Sequence, residues 1–230
     1  MNKIIHEKNH VLRWLQEQGG SFANLKYGNL SQSYLRAEKA LGTQGNVEFK
    51  VTETAAGGTS LVTENLLKNN DLFVMTELAI CYRQIAADTA TDELTAESIL
   101  HTYVNPNVFS GTNSVNMAAI PNGKFSLSVN QVEWIPAIPV RDFERVGTSQ
   151  QGTTTTASVN TSTADATTTI ARDEKTSGNY GYYPTGLISF AGTDKVKPVV
   201  DWGVSLNMDD SSLTNYLVLL MKGYLVSNYK

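Results

Sequence analysis

The chain has 230 residues, of which 41% are hydrophobic and 17% charged, enough for one substantial core or two small ones. Thr, Ser, Asn and Gly fill the shortfall in charge, a composition of strands and turns that excludes a coiled coil. The single cysteine, Cys81, excludes an internal disulfide or a Cys-built zinc cluster. The formal charge of −4 is unevenly placed, because residues 1–41 carry six basic and three acidic groups and leave −7 on the rest. A basic end on an acidic body points to two surfaces with different partners, anionic lipid or nucleic acid at the basic one; a solvated helix face is the plain alternative.

After Met1-Asn-Lys-Ile-Ile come His6, Glu7 and Lys8, so no apolar stretch of signal-peptide length is present. The longest apolar run, Leu217 to Met221, is far below the ~20 residues that cross a bilayer. The expectation is a soluble chain made in the cytoplasm.

Residues 4–18 read as a helix, with Ile4, Ile5, Val11, Leu12 and Leu15 on one face and Gly19-Gly20 as its stop. Weaker helix patterns cover Ser31–Leu41, ended by Gly42, and Thr91–Leu100, where Thr91, Asp92 and Glu93 supply a cap and first-turn acids. From Asn46 the period changes to two. Val47, Phe49 and Val51 alternate with polar residues, as do Phe125, Leu127 and Val129, while Leu72, Val74, Leu78, Ile80 and Tyr82 share one face of a long strand. Both faces of Tyr216–Met221 are apolar, which predicts a central strand buried on both sides.

Turn signals separate these runs at Gly57-Gly58, Asn69–Asp71, Asn105-Pro106, Pro121–Gly123, Gly192–Asp194 and Asp209–Ser212. Pro136, Pro139 and Pro198 place their segments at edges or bulges. Residues 147–169 hold ten threonines and one charge, Asp165, and read as a linker or exposed loop. The predicted organisation is an N-terminal helical arm over 1–45 and an antiparallel sandwich body over 46–230, with a Thr-rich loop at 147–179.

One formal motif is present. His6-Glu7-Lys8-Asn9-His10 fits the HExxH pattern, in which two histidines one turn apart bind zinc and the Glu activates its water. Lys8 stands where such helices are usually uncharged, no third ligand follows, and the plain reading is a pair of solvated or interface histidines. Asp201, Asn207, Asp209 and Asp210 could offer oxygens to calcium but lack EF-hand spacing and its closing Glu, and a turn between two strands explains Asn207 to Ser212 more simply. Trp14, Trp134 and Trp202 with Tyr180, Tyr182 and Tyr183 could form a sugar-stacking platform; core or interface packing is the usual role of such aromatics.

An amphipathic basic arm, the long strand at Asn70–Gln84, long polar loops and the closing strand at Leu213–Val226 together resemble the jelly-roll capsid proteins of tailless icosahedral viruses and phages, particularly those with an internal membrane. The resemblance implies an all-β antiparallel jelly-roll sandwich, a single roll first and a compact double roll second, since double-roll members are usually longer. It implies a non-enzymatic structural protein of the virion, made in the host cytoplasm, with no cofactor, metal or small-molecule substrate. Its partners would be further copies of itself, other virion proteins and an internal membrane. In that family the N-terminal segment faces the particle interior, which would turn Ile4, Ile5, Lys8, Val11, Leu12, Arg13 and Leu15 toward membrane or interior. The rival classes are a carbohydrate-binding or adhesin β-sandwich and, third, an HExxH zinc metalloprotease.

Overall fold

A computed structural model of the chain describes residues 2–19, 22–57, 61, 63–86, 100–104, 109, 113–144, 150–154, 169–173, 182–209 and 213–229. Two compact units result, residues 1–144 with 181–230, and residues 145–180.

In the first unit, helix α1 (Asn2–Glu17) ends where Gly19 adopts a left-handed φ of 73° and its N–H bonds back to Gln16. Strands β1 (Leu30–Ala40) and β2 (Thr43–Glu48) follow, then a short helix α2 (Glu53–Ala56) capped by the Thr52 hydroxyl. Next come β3 (Leu72–Ala86), helix α3 (Ser114–Ala119), β4 (Lys124–Val129) and β5 (Val132–Pro139). In the second unit β6 (Gln150–Thr154) and β7 (Thr169–Asp173) pair antiparallel. The first unit then resumes with β8 (Tyr183–Ala191), β9 (Val196–Asn207) and β10 (Leu213–Val226).

Two four-stranded antiparallel sheets result, ordered β1-β10-β3-β8 and β2-β9-β4-β5. Their facing sides share one apolar core. Leu35, Phe73, Met75, Ile80, Phe190, Leu217 and Leu219 of the first sheet meet Val47, Phe125, Leu127, Ile135 and Val200 of the second. The fold is therefore an all-β antiparallel sandwich with a short N-terminal helix.

The helix expected over Ser31–Leu41 is overturned, because this segment is β1. It pairs with β10 from Leu30 opposite Val226 to Ala40 opposite Tyr216, an eleven-residue ladder. Leu35 and Ala37 turn to the sandwich core while Arg36 and Glu38 take the other face. Long-range pairing plus a buried period-two face outweighs the helix preference of Leu, Arg, Ala, Glu and Lys. The helix expected at Thr91–Leu100 falls on residues 91–99, outside the described residues.

The first sheet is apolar on both faces. On its outer side Val11 and Leu15 of α1 pack with Leu30, Leu72, Val74, Tyr224 and Val226. Each contributes about 1.5–3 kcal/mol by burial. Farther along, Ala79, Cys81, Ile85 and Val218 are covered by Leu61, Leu100 and Tyr182. Lying between two such layers, β10 needs apolar residues on both sides, which accounts for the run at Leu217–Met221. The second sheet alternates instead: Phe125, Leu127 and Val129 are buried, and Lys124 is exposed.

Gly223 marks a bulge in β10. The register shifts between Lys222 and Gly223, and a Cβ on Gly223 would stand 1.9 Å from the Val74 carbonyl oxygen.

Candidate assembly surfaces

The structure divides the residues expected to face membrane or interior. Val11 and Leu15 are buried against the first sheet, Leu12 is partly buried in the same cluster, and the Ile4 side chain lies outside the described residues. Ile5 and Arg13 are exposed, and Lys8 places its ammonium 3.9 Å from the centre of the Tyr27 ring. The helix is further tied down where Gln16 Nε2 donates to the Leu25 carbonyl at 2.8 Å and Phe22 stacks on Tyr229 with ring centres 5.0 Å apart. Thus the strongest apolar stripe of α1 serves the chain's own first sheet.

His6 and His10 lie on the exposed side of α1. His10 and Glu7 line a shallow groove of about 300 Å³ with Glu77, Pro184 and Leu187. Among the described residues no three His, Cys, Asp or Glu side chains gather as a metal cluster would require. The calcium candidates serve local backbone hydrogen bonds: within β9 Asp201 Oδ1 accepts the Gly203 N–H at 2.9 Å, and at its end Asn207 Oδ1 accepts that of Asp209 at 3.0 Å. Asp209 Oδ2 accepts from the Thr43 hydroxyl at 2.9 Å, and Asp210 lies outside the described residues.

The three tryptophans do not form one platform. Trp14, on α1, is partly buried against the outer face of the first sheet, Trp202 donates its Nε1 to the Ile120 carbonyl at 3.2 Å, and of the three only Trp134 is widely exposed, at 48%. Tyr182 lies 3.4 Å beneath the Lys222 ammonium, Tyr183 meets Phe143 edge-on at 5.6 Å, and Tyr180 is outside the described residues. Trp134 sits on β5, one of the two edge strands of the second sheet.

The densest polar constellation, which the sequence reading missed, sits on the outer face of the first sheet. Glu38 of β1 and Arg83 of β3 stand on either side of β10, opposite Val218 and Tyr216. Both side chains are fully buried, with Arg83 Nη1 2.6 Å from Glu38 Oε2, and Arg36 Nε donates to Glu38 Oε1 at 2.8 Å. The Thr63 hydroxyl accepts from Arg83 at 3.2 Å. The Glu64 carboxylate accepts the N–H groups of Glu38 and Leu61, both at 2.8 Å.

Asn65 exchanges both backbone hydrogen bonds with Arg36 at 2.9 Å. This network fastens residues 63–65 along the free edge of β1 and blocks strand addition there. A charge pattern on β1 alone gives no hint of it, since the partner Arg83 lies 45 residues away.

At the other side of the first sheet Tyr82 and His101 exchange backbone bonds at 2.8 Å, and the His101 ring stands edge-on to Phe109 at 5.6 Å. Burial lowers the His101 pKa. Burial also raises that of Glu144, against the lowering exerted by the Val104 backbone and by Arg141. The Cys81 thiol is pushed up to about 12 by burial and so stays protonated at neutral pH.

Comparison of the chain with protein-family models, with curated proteins and with solved structures finds no match in any of the three.

Proposed function

We propose that the chain is a structural subunit that self-assembles into the icosahedral shell of a virion. The observation that supports this reading most is strand order. With β6 and β7 of the second unit set aside, the eight sandwich strands run 1-8-3-6 in one sheet and 2-7-4-5 in the other. We read that order as a single jelly roll, two Greek keys folded face to face, with one shared core rather than two. Packing of α1 on the outer face of the first sheet makes the helix an integral layer of the subunit, which favours protein contacts over an acyl boundary for Val11 and Leu15.

In this role affinity comes from repeated copies, each contact being weak alone. Partners are further copies and other virion proteins. Light scattering and negative-stain imaging of the purified protein test the reading: closed particles or their pentamer and trimer fragments are expected as concentration rises. A strict monomer at every concentration and salt condition overturns it.

A further inference from the structure

Exposed large apolar side chains are mostly scattered over the described surface, as on any soluble protein. Val132 and Trp134 differ, because they stand two residues apart on one edge strand, exposed by 59% and 48%. Their setting is rigid. The β4–β5 turn carries positive φ at both central residues, 51° at Asn130 and 71° at Gln131. Asn130 is held at three points: its N–H donates to the Lys195 carbonyl at 2.9 Å, its Oδ1 accepts the Lys195 N–H at 3.0 Å, and its Nδ2 donates to Asp194 at 3.0 Å.

Two residues beyond, Ser128 pairs with Glu133 and Leu127 with Ile135, so Trp134 is the extra residue of a bulge. An aromatic side chain presented on a clamped turn and a bulge loses little entropy on docking, the property of an interface anchor.

Two observations select the occupant. Pro136 and Pro139 each remove a backbone donor from the second half of β5 and interrupt any ladder an added strand would form there; an extended peptide is thereby disfavoured. The exposed area of the two side chains is roughly 200 Å², against the ~800 Å² that each partner buries in a stable pairwise complex. A patch of that size does not hold a monovalent partner. It contributes where one contact recurs around an assembly.

We propose that Trp134, with Val132, is an anchor by which a second copy of this chain docks on the outer edge of β5, which no described strand pairs. This rests on the shell reading and names one of its contacts.

The test compares the full-length wild type with Trp134→Ala and Trp134→Phe, following assembly by light scattering across a concentration series. Thermal melts serve as the control for folding. The expected result is that Trp134→Ala melts like wild type but needs at least about tenfold more protein to assemble, whereas Trp134→Phe stays close to wild type. Tryptophan emission should shift to the blue on assembly of wild type, and this shift should shrink in Trp134→Phe. Assembly of Trp134→Ala at the wild-type concentration overturns the proposal and leaves the shell reading standing; a monomeric wild type overturns both. Quenching of wild-type monomer emission by a soluble glucan oligosaccharide, absent in Trp134→Ala, would assign the patch to sugar and also overturn it.

Discussion

Replacing Arg83 by Ala should be among the most damaging single changes in the sandwich. Its side chain is 0% exposed, and the change withdraws a guanidinium 2.6 Å from Glu38 Oε2, leaving a fully buried carboxylate half-served. Breaking a buried pair in this way costs about 3–5 kcal/mol, and the lower end applies because Arg36 still reaches Glu38 Oε1. In a protein of this size that corresponds to a fall in Tm of roughly 6–12 °C.

The double change Glu38→Leu with Arg83→Met should behave differently. Arg83 Nε and Nη2 find no acceptor among the described residues, so the ion pair is incompletely served and its desolvation cost is poorly offset. Arg36, with a side chain 17% exposed, can turn outward once Glu38 is gone. The double variant should therefore come within about 1 kcal/mol of wild type or exceed it. Equilibrium urea unfolding of the single and double variants measures both values. A loss below about 1 kcal/mol in Arg83→Ala, or a double variant as unstable as the single one, would refute the reasoning.

Gly223→Ala should destabilise at or beyond the ~1–3 kcal/mol usual for overpacking, because its Cβ would meet backbone 1.9 Å away; soluble expression and urea midpoint report it. His101 is depressed by burial, so the unfolded chain takes up its proton first, and stability should fall as pH drops below about 6.5. Thermal melts of His101→Phe should show a flatter pH profile there. Glu144 is raised by burial, so its charge opposes folding as pH rises through the interval above its ordinary value. Glu144→Gln should accordingly raise the melting temperature at pH 7, with the gain fading toward pH 4; an equal gain at both pH values would remove the charge from the explanation.

Much of the sandwich is legible in the sequence where burial imposes a period. The closing strand Leu213–Val226 and the alternation at Phe125–Val129 could be read because each side chain's environment repeats every two residues. Helix α1 could be read for the same reason at period 3.6. β1 could not, because its half-buried pattern is carried by Leu35 and Ala37 while the other positions are good helix formers, and only the ladder to β10 decides between the two.

The Asn130-Gln131 turn left no signal either. The turn is held by the bonds of Asn130 to Lys195 and Asp194, more than sixty residues downstream, and not by a local preference of Gln131 for positive φ. Trp134 was visible as a residue but not as a surface; its exposure depends on a bulge that periodicity alone does not reveal.

The central place of β10 has a consequence for synthesis. Residue 30 pairs with residue 226, and residue 72 with the same residue on the other side, so the first sheet has a gap at its middle until β10 has left the ribosome. Until then β1 and β3 expose facing edges and apolar surface to any nascent neighbour. Closure of the first sheet thus cannot precede the synthesis of β10 and, dominated by distant pairings, should be slow. The same strand also completes the face on which α1 packs.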